Sequence, residues 1–366
     1  MKLKSFLSVN VGSIITSLLC GFAWANSHEN ITSEPTKIHL RNGDNKIVQL
    51  LRVNLSPLQR KALSNNVSFR LNNPNHHYLY QKANDLPSNV ENGMNKIPVL
   101  DQGAWGTCAT FAATAAVDAL YGLTGTRSVS QLCNLELGRT IQNPDETGGW
   151  EGSFGYLVLQ QIAQYGYMPQ SYEISKICGG LSEYPTDNPY DNGDPMSVDI
   201  FMQDSVKTFS ANDWKPILSY ADHVEPLELE VGEKILDEVK RYLFKGDRVL
   251  LGTLLDPDQD EAGAVGEYGR VENDTWVLTD AIKRDIDRGI IAGHELVITG
   301  YDDHACAEYT ETPESGHAKP IVKKQCGILH LRNSWSIFAG DKGDYYMTYD
   351  YFKAMAIEAY AILNMQ

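Results

Sequence analysis

Positive charge is scarce in this sequence. Its 366 residues include 31 lysines and arginines against 47 aspartates and glutamates, which gives a formal net charge of −16. Proteins that bind nucleic acid or anionic lipid neutralise phosphates with clustered lysines and arginines. The acidic balance therefore argues against both partner classes. The 42% hydrophobic and 21% charged residues are ordinary for a globular protein.

A hydrophobic run long enough to span a membrane is also lacking, since a span needs roughly 20 apolar residues. The stretch from Val9 to Phe22 is shorter; it follows Lys2 and Lys4 and ends before Ala23-Trp24-Ala25. A basic start, a short apolar core and a small-x-small triplet are typical of a secretory signal peptide. We predict a signal peptide over 1–25, cleaved after Ala25, and a secreted or periplasmic protein. An uncleaved membrane anchor is the alternative.

Cysteine is sparse, and its spacing offers no Cys-x-x-Cys pair for a zinc site. Of the six cysteines, Cys20 belongs to the predicted signal peptide. An odd number then remains in an exported protein, where thiols normally pair. One thiol is left over, and a reactive nucleophile is one explanation for it. No metal and no organic cofactor is implied.

The most informative stretch is a glycine-containing loop that leads into an alanine-rich segment. Gln102-Gly103-Ala104-Trp105-Gly106-Thr107-Cys108 precedes the run from Ala109 to Leu120, and this pattern predicts a buried helix that begins at Cys108. Unpaired backbone N–H groups and the helix dipole lower the pKa of a thiol at such a position. Cys108 is therefore the candidate nucleophile.

A thiol nucleophile also needs a base and a group that holds the base in one tautomer. His294 precedes a predicted strand over Glu295 to Tyr301, and Asn333 follows another over Gly327 to Arg332. Both can therefore face one cleft. Gln102 offers a side-chain amide that, with the backbone N–H of Cys108, can stabilise an oxyanion. Together these residues predict a Cys-His-Asn triad for acyl transfer.

These segments resemble the cysteine, histidine and asparagine motifs of the papain family of cathepsin-like cysteine peptidases, and they occur in that family's order. Gly148-Gly149 resembles the glycine pair that lines the family's cleft and binds the substrate backbone. By the same resemblance, Trp335 shields the hydrogen bond between histidine and asparagine. The resemblance spans about Leu86 to the C-terminus and rests on three motifs: Gln102-Gly103 with Cys108, Gly293-His294 before Gly300-Tyr301, and Arg332-Asn333-Ser334-Trp335.

The resemblance implies an α+β, papain-like two-lobed fold with the cleft between the lobes. A helical lobe is expected over about 100–230 and a β-barrel-like lobe over about 231–366. The stretches 179–226 and 302–325 are expected to be loop insertions. Family members usually have tryptophan where this chain has Ala109, and the family's common disulfide is absent because Trp105 and Glu146 take its positions.

The remaining cysteines then pair most simply as Cys133 with Cys178 and Cys306 with Cys326. Each bridge closes a loop within one lobe, and the first resembles a family bridge. Such bridges typically stabilise a fold by about 2–4 kcal/mol.

Residues 26–85 resemble a prosegment by position, because papain-type enzymes are made as zymogens with a covered cleft. A helix from Ser56-Pro57 through Leu63 is the one element predicted there. We expect this segment to lie across Cys108 as an inhibitor and to be removed on activation. A permanent accessory piece is the alternative.

The predicted reaction is hydrolysis of peptide bonds in peptides or proteins by a monomeric enzyme of residues 86–366. Two alternatives stay open: a catalytically silent papain-like protein that binds peptides or proteins, and a transglutaminase-like acyl transferase, which usually has aspartate in place of Asn333. Glu295 beside His294 is unusual for the family. From the sequence we expect only that Glu295 occupies an outward-facing position on its strand.

Overall fold

Helices dominate the first half of the described chain and strands the second. The computed structural model describes residues 31–74, 86–188, 190–219, 229–269, 271–312 and 319–364. These residues belong to the unit Ile31–Gln366, whereas the predicted signal peptide lies outside the described residues. The α+β class predicted from the sequence is confirmed. None of the described helices combines the length and the apolarity that a membrane span requires.

The described helices are α1 Pro57–Asn72, α2 Cys108–Tyr121, α3 Gln131–Ile141, α4 Gly155–Tyr165, α5 Ser171–Ile174, α6 Val198–Asp204, α7 Leu229–Phe244, α8 Asp280–Arg288 and α9 Tyr349–Met355. The described strands are β1 Ser33–His39, β2 Asn45–Arg52, β3 Asn89–Glu91, β4 Trp214–Leu218, β5 Arg248–Leu255, β6 Thr275–Trp276, β7 Ala292–Glu311, β8 Ile321–Arg332, β9 Asp344–Thr348 and β10 Ala356–Ile362.

The helix α2 is buried along most of its length, as its alanine-rich sequence predicts. Small side chains let the helix approach the sheet closely, and Ala112 and Val117 share a core with Leu250 of β5 and Val297 of β7. Gly122 ends the helix in the left-handed conformation, with φ of 61°. The N-terminus of α2, and with it Cys108, is thereby fixed next to the sheet.

The sheet brings the predicted base and its orienting group together. Its main path runs β4-β10-β5-β7-β8-β9-β6, and β7 pairs antiparallel with both β5 and β8. Val297 on β7 pairs with Arg332 on β8. Because the strands are antiparallel, Asn333 follows β8 toward the start of β7, where His294 lies.

The segment before the predicted peptidase domain contains more structure than the sequence indicated. Ser56 caps α1 in a reciprocal capping box with Gln59, and α1 extends well beyond the predicted end at Leu63. The strands β1 and β2, which were not predicted, form an antiparallel hairpin, and β2 joins the sheet through Leu51 opposite Gly293. The segment also contributes buried side chains to the main core of the strand-rich half: Ile38, Val48, Leu50, Leu63 and Val67.

The two predicted loop insertions are only partly irregular. Over 302–325, the described residues continue β7 and β8 as a long antiparallel ladder in which Cys306 lies opposite Cys326 and is bonded to it. The expectation of a loop there was wrong, because the cross-strand ladder extends to Glu311. Residues 313–318 lie outside the described residues. Over 179–226, α6 and β4 interrupt the irregular chain, and Cys178 is bonded to Cys133 of α3.

Candidate active site

Cys108 is the first residue of α2 and the one free cysteine among the described residues. Backbone N–H groups of Glu295, Ala109 and Cys108 itself stabilise the thiolate and lower the pKa of the thiol. Burial outweighs them and raises the pKa of Cys108 to about 11. In this conformation the sulfur is therefore a protonated thiol at neutral pH.

His294 is held by Asn333, whose Oδ1 lies 2.9 Å from its Nε2. The same oxygen accepts the backbone N–H of Ser334 at 2.7 Å, so it acts as an acceptor and Nε2 must donate. The neutral ring then carries no proton on Nδ1, which is buried without a hydrogen-bond partner. Burial lowers the pKa of His294 to about 4, and the bond to Asn333 opposes this shift.

Trp335 covers this pair. Its ring stacks on His294 with the centroids 4.6 Å apart and the planes 27° from parallel. Trp335 is itself fully buried against Trp276 and Tyr345. Water is thus kept from the hydrogen bond between His294 and Asn333, which fixes the ring orientation.

Gln102 lies beside the N-terminus of α2 and is fully buried. Its Oε1 accepts the hydroxyl of Ser334 at 2.8 Å, and its Nε2 donates to the carbonyl of Trp105 at 2.9 Å. A longer contact of 3.4 Å joins Nε2 to the carbonyl oxygen of Gln49 on β2. The amide of Gln102 is therefore oriented by the protein, and a backbone carbonyl of the N-terminal segment lies against it.

Three glycines lie between α3 and α4: Gly148 and Gly149, which the sequence singled out, and Gly152. A Cβ on Gly148 would collide with the backbone of Arg139 in α3, and one on Gly149 would meet Leu135 of the same helix. Gly152, by contrast, adjoins Leu51 of the hairpin, because a Cβ there would lie 2.6 Å from a methyl of Leu51. Gly148-Gly149 thus packs against α3, and Gly152 lies under the segment that crosses the site. The sequence feature that could have indicated Gly152 is its position shortly before α4.

The hairpin of β1 and β2 closes the site from solvent. Leu51 adjoins both Gly152 and Gly293, which belong to opposite sides of the cleft. Ser33 donates to Glu151 at 2.9 Å on the helical side. In this closed arrangement, Cys108 and His294 are each only 2% exposed.

Lys46 of β2 further ties the hairpin down through an ion pair with Asp101, next to Gln102. Its ammonium group also lies 3.4 Å from the carbonyl oxygen of Trp335. The hairpin therefore contacts the loops on both sides of the candidate nucleophile and base.

Two glutamates complete the surroundings of Cys108 and were not predicted as site residues. Glu295 follows His294 on β7, and Glu358 lies on β10; both side chains are buried. The outward-facing position expected for Glu295 was wrong, because successive strand residues alternate between faces and this face is covered by α4. Burial raises the pKa of both carboxyls.

No protein-family model and no curated protein matches the sequence. Solved structures of cysteine proteases are similar to this chain. Xylellain from Xylella fastidiosa matches with a TM-score of 0.48 and 17% identity, over 80% of this chain and 91% of that one. Procathepsin L 3 from the larval midgut of Tenebrio molitor matches with a TM-score of 0.43 and 16% identity, over 78% and 74%.

The proform of the ragweed pollen cysteine protease Amb a 11 matches with a TM-score of 0.43 and 15% identity, over 86% of this chain and 81% of that one. The roles of individual residues are argued from the geometry of this chain.

Proposed function

We propose that this chain is a cysteine peptidase in which Cys108, His294 and Asn333 form the catalytic triad. The observation that carries the proposal is the state of His294: Asn333 fixes Nε2–H, and Nδ1 is left unprotonated and buried without a hydrogen-bond partner. The backbone N–H of Glu295, the residue after the base, interacts with the Cys108 sulfur. Nucleophile and base are therefore neighbours.

In the proposed reaction, Nδ1 of His294 takes the thiol proton and the Cys108 sulfur attacks the carbonyl carbon of a peptide bond. The resulting oxyanion is stabilised by the Gln102 amide and the Cys108 N–H. The imidazolium then protonates the leaving amine, which departs and leaves a thioester. His294 next takes a proton from water, whose oxygen attacks the thioester carbonyl carbon. The C–S bond then breaks, the acid product leaves, and the imidazolium returns its proton to the sulfur.

We further propose that the described state is a closed precursor of an exported enzyme. The segment 26–85 is the prosegment in this proposal, and 86–366 is the peptidase domain with its two lobes. The support is that β2 places Leu51 over the cleft and the Gln49 carbonyl against Gln102. Burial by this segment favours the neutral thiol of Cys108 and the neutral imidazole of His294. Displacement of the hairpin lets solvent stabilise the thiolate and the imidazolium.

The test is hydrolysis of fluorogenic peptides by the purified protein after incubation, with N-terminal sequencing of the product. Cys108→Ala and His294→Ala are expected to abolish cleavage. His330→Ala is the control, because His330 lies on β8 and contacts Glu91 instead of the site. Undiminished cleavage by Cys108→Ala rejects the triad, and full activity without shortening of the chain rejects the prosegment.

Labelling of Cys108 by an epoxide aimed at reactive thiols separates the peptidase from a catalytically silent relative. An activated protein that neither labels nor cleaves supports the silent binding protein. Release of ammonia from a glutamine donor, without peptide cleavage, supports the acyl transferase.

A further inference from the structure

Tyr184 belongs to the stretch 179–226, and its hydroxyl reaches the loop that precedes α2. The hydroxyl donates to the backbone carbonyl of Gln102 at 2.8 Å. It also lies 2.9 Å from the hydroxyl of Thr107. A phenol has one proton and a carbonyl can only accept, so the Thr107 hydroxyl donates to the Tyr184 oxygen. One side-chain oxygen therefore joins both ends of the loop from Gln102 to Thr107.

The two ends of this loop carry the proposed oxyanion donors. Gln102 supplies its side-chain amide, and the peptide bond between Thr107 and Cys108 carries the N–H of Cys108. Thr107 is the N-cap residue of α2, where a threonine side chain commonly accepts a backbone N–H of the first turn. The Thr107 side chain makes no such bond. Its hydroxyl is bonded to Tyr184, which therefore takes the place of an ordinary helix cap.

The residues after Tyr184 hold the middle of the same loop. The carbonyl of Pro185 accepts the indole N–H of Trp105 at 3.0 Å. Gly103 has a φ of 61°, and a Cβ there would lie 2.1 Å from the carbonyl oxygen of Thr186. Glycine is thus required at this position both by the backbone conformation and by the close approach of the second segment. The two backbone segments pack directly against each other.

The ring of Tyr184 is held in place by two aromatic neighbours. It stacks on Trp150, with the centroids 5.5 Å apart and the planes 7° from parallel. It also meets Phe111 edge to face, with the centroids 4.8 Å apart. Phe111 belongs to the first turn of α2, which begins at Cys108. The Tyr184 hydroxyl is therefore fixed relative to the helix that carries the proposed nucleophile.

We propose that Tyr184 is a positioning residue for the oxyanion hole. Its hydroxyl fixes the distance between the Gln102 amide and the Cys108 N–H, so that both donors point at the oxygen on which negative charge develops. Oxyanion donors are effective because they are in place before the charge forms, and a donor that must first reorient loses part of this effect. This inference rests on the proposed peptidase function and adds to it a residue from outside the three motifs.

The test compares Tyr184→Phe with the wild type in two reactions of the activated enzyme. Peptide hydrolysis passes through an oxyanion, whereas alkylation of Cys108 by iodoacetamide needs the thiolate and forms no oxyanion. We expect kcat for a fluorogenic peptide to fall by about 10- to 100-fold, less than for the loss of a whole donor, with KM within about twofold. The alkylation rate at neutral pH should stay within about twofold of the wild type. Rates are expressed per active site titrated with the epoxide, so unfolded and unprocessed chains do not count.

Tyr121→Phe is the matched control. Tyr121 is the last residue of α2 and is partly buried, and its hydroxyl donates to the carbonyl of Thr208 at 3.0 Å. This variant loses the same kind of bond at the opposite end of the helix from Cys108, so we expect the wild-type kcat. Thr107→Val removes the other hydroxyl of the connection and should lower kcat with alkylation again unchanged.

A double variant measures whether Tyr184 acts through Gln102. In Gln102→Ala the side-chain donor is gone, so Tyr184→Phe should reduce kcat less in that variant than in the wild type. Losses that multiply fully in the double variant overturn the positioning role. A wild-type kcat in Tyr184→Phe overturns it too, as do equal losses of hydrolysis and alkylation, which indicate a general structural effect.

The two proposals fail differently. Hydrolysis that depends on Cys108 but is unchanged in Tyr184→Phe leaves the peptidase and removes the positioning role. Absence of any hydrolysis that depends on Cys108 removes both.

Discussion

The thiol of Cys108 is subject to two opposing effects. Burial disfavours the thiolate, and this effect outweighs the three backbone N–H groups that favour it. The same burial lowers the pKa of His294 to about 4. Cys108 and His294 are therefore both neutral in the closed state. Neither ionises alone, because an isolated buried charge is costly.

This balance predicts that the reactivity of the Cys108 thiol depends on pH. In the intact chain, the rate at which iodoacetamide alkylates Cys108 should rise with pH to a midpoint near the raised pKa of about 11. The raised pKa also means that the folded thiol keeps its proton longer than the unfolded one. The contribution of the thiol to folding stability is therefore present below its ordinary pKa and is lost as the pH rises toward about 11.

Alkylation is measured by mass spectrometry of the intact protein across a pH series, with Cys108→Ala as the unlabelled control. After the hairpin is displaced, the midpoint should fall by several pKa units, because solvent and His294 then stabilise the thiolate. A midpoint near neutral pH in the intact chain would falsify the closed state.

At the scale of elements, the β1–β2 hairpin determines whether the candidate site is accessible. It is one element with two roles, since Val48 and Leu50 face the main core while Leu51 adjoins the cleft glycines. The strand β2 extends the sheet through β7 at the residue before His294. Closure therefore depends on a short strand pairing and on one apolar side chain, in addition to the ion pair of Lys46.

Leu51→Asp should open the cleft. A carboxylate in place of a buried leucine loses apolar burial and acquires a desolvation cost, so we expect Cys108 to be alkylated at neutral pH at least about tenfold faster. Ile47→Asp is the matched control, because Ile47 lies on the same strand with its side chain 49% exposed. Similar labelling rates in the two variants would show that Leu51 does not hold the cleft closed.

Across the whole molecule, the N-terminal segment is joined to the rest by buried charges. Arg70 at the end of α1 lies 3.8 Å from Glu233 of α7 and 3.5 Å from Asp350 of α9. Lys353 pairs with the same two carboxylates at 2.8 and 2.9 Å. All four side chains are buried. Loss of α1 would leave two acids with one cation, so we expect this network to help hold the N-terminal segment in place in the uncleaved chain.

Arg70→Met tests this connection. Removal of one partner from a buried charge network should lower the free energy of unfolding by about 3–5 kcal/mol. Arg52→Met is the comparison, because the Arg52 pair with Glu34 is largely exposed and is worth at most about 1 kcal/mol. Chemical denaturation measures both variants. Equal stability of the two would mean that the network does not anchor α1.

Features that depend on local sequence pattern could be predicted before the structure was known. The alanine-rich run after a glycine loop placed the start of α2 at Cys108. The capped start of α1 at Ser56 could also be predicted, because capping depends on a few adjacent residues.

The identity of the residues that meet across the cleft depends on long-range packing and could not be predicted. Neither the polar pattern of β1 and β2 nor their distance from the motifs indicated that the hairpin would join β7, because strand pairing depends on partners far along the chain. Gly152, and not Gly148-Gly149, lies under that hairpin. Glu295 and Glu358 are neighbours only because Gly252 lies between them on the intervening strand, a relation that no local pattern contains.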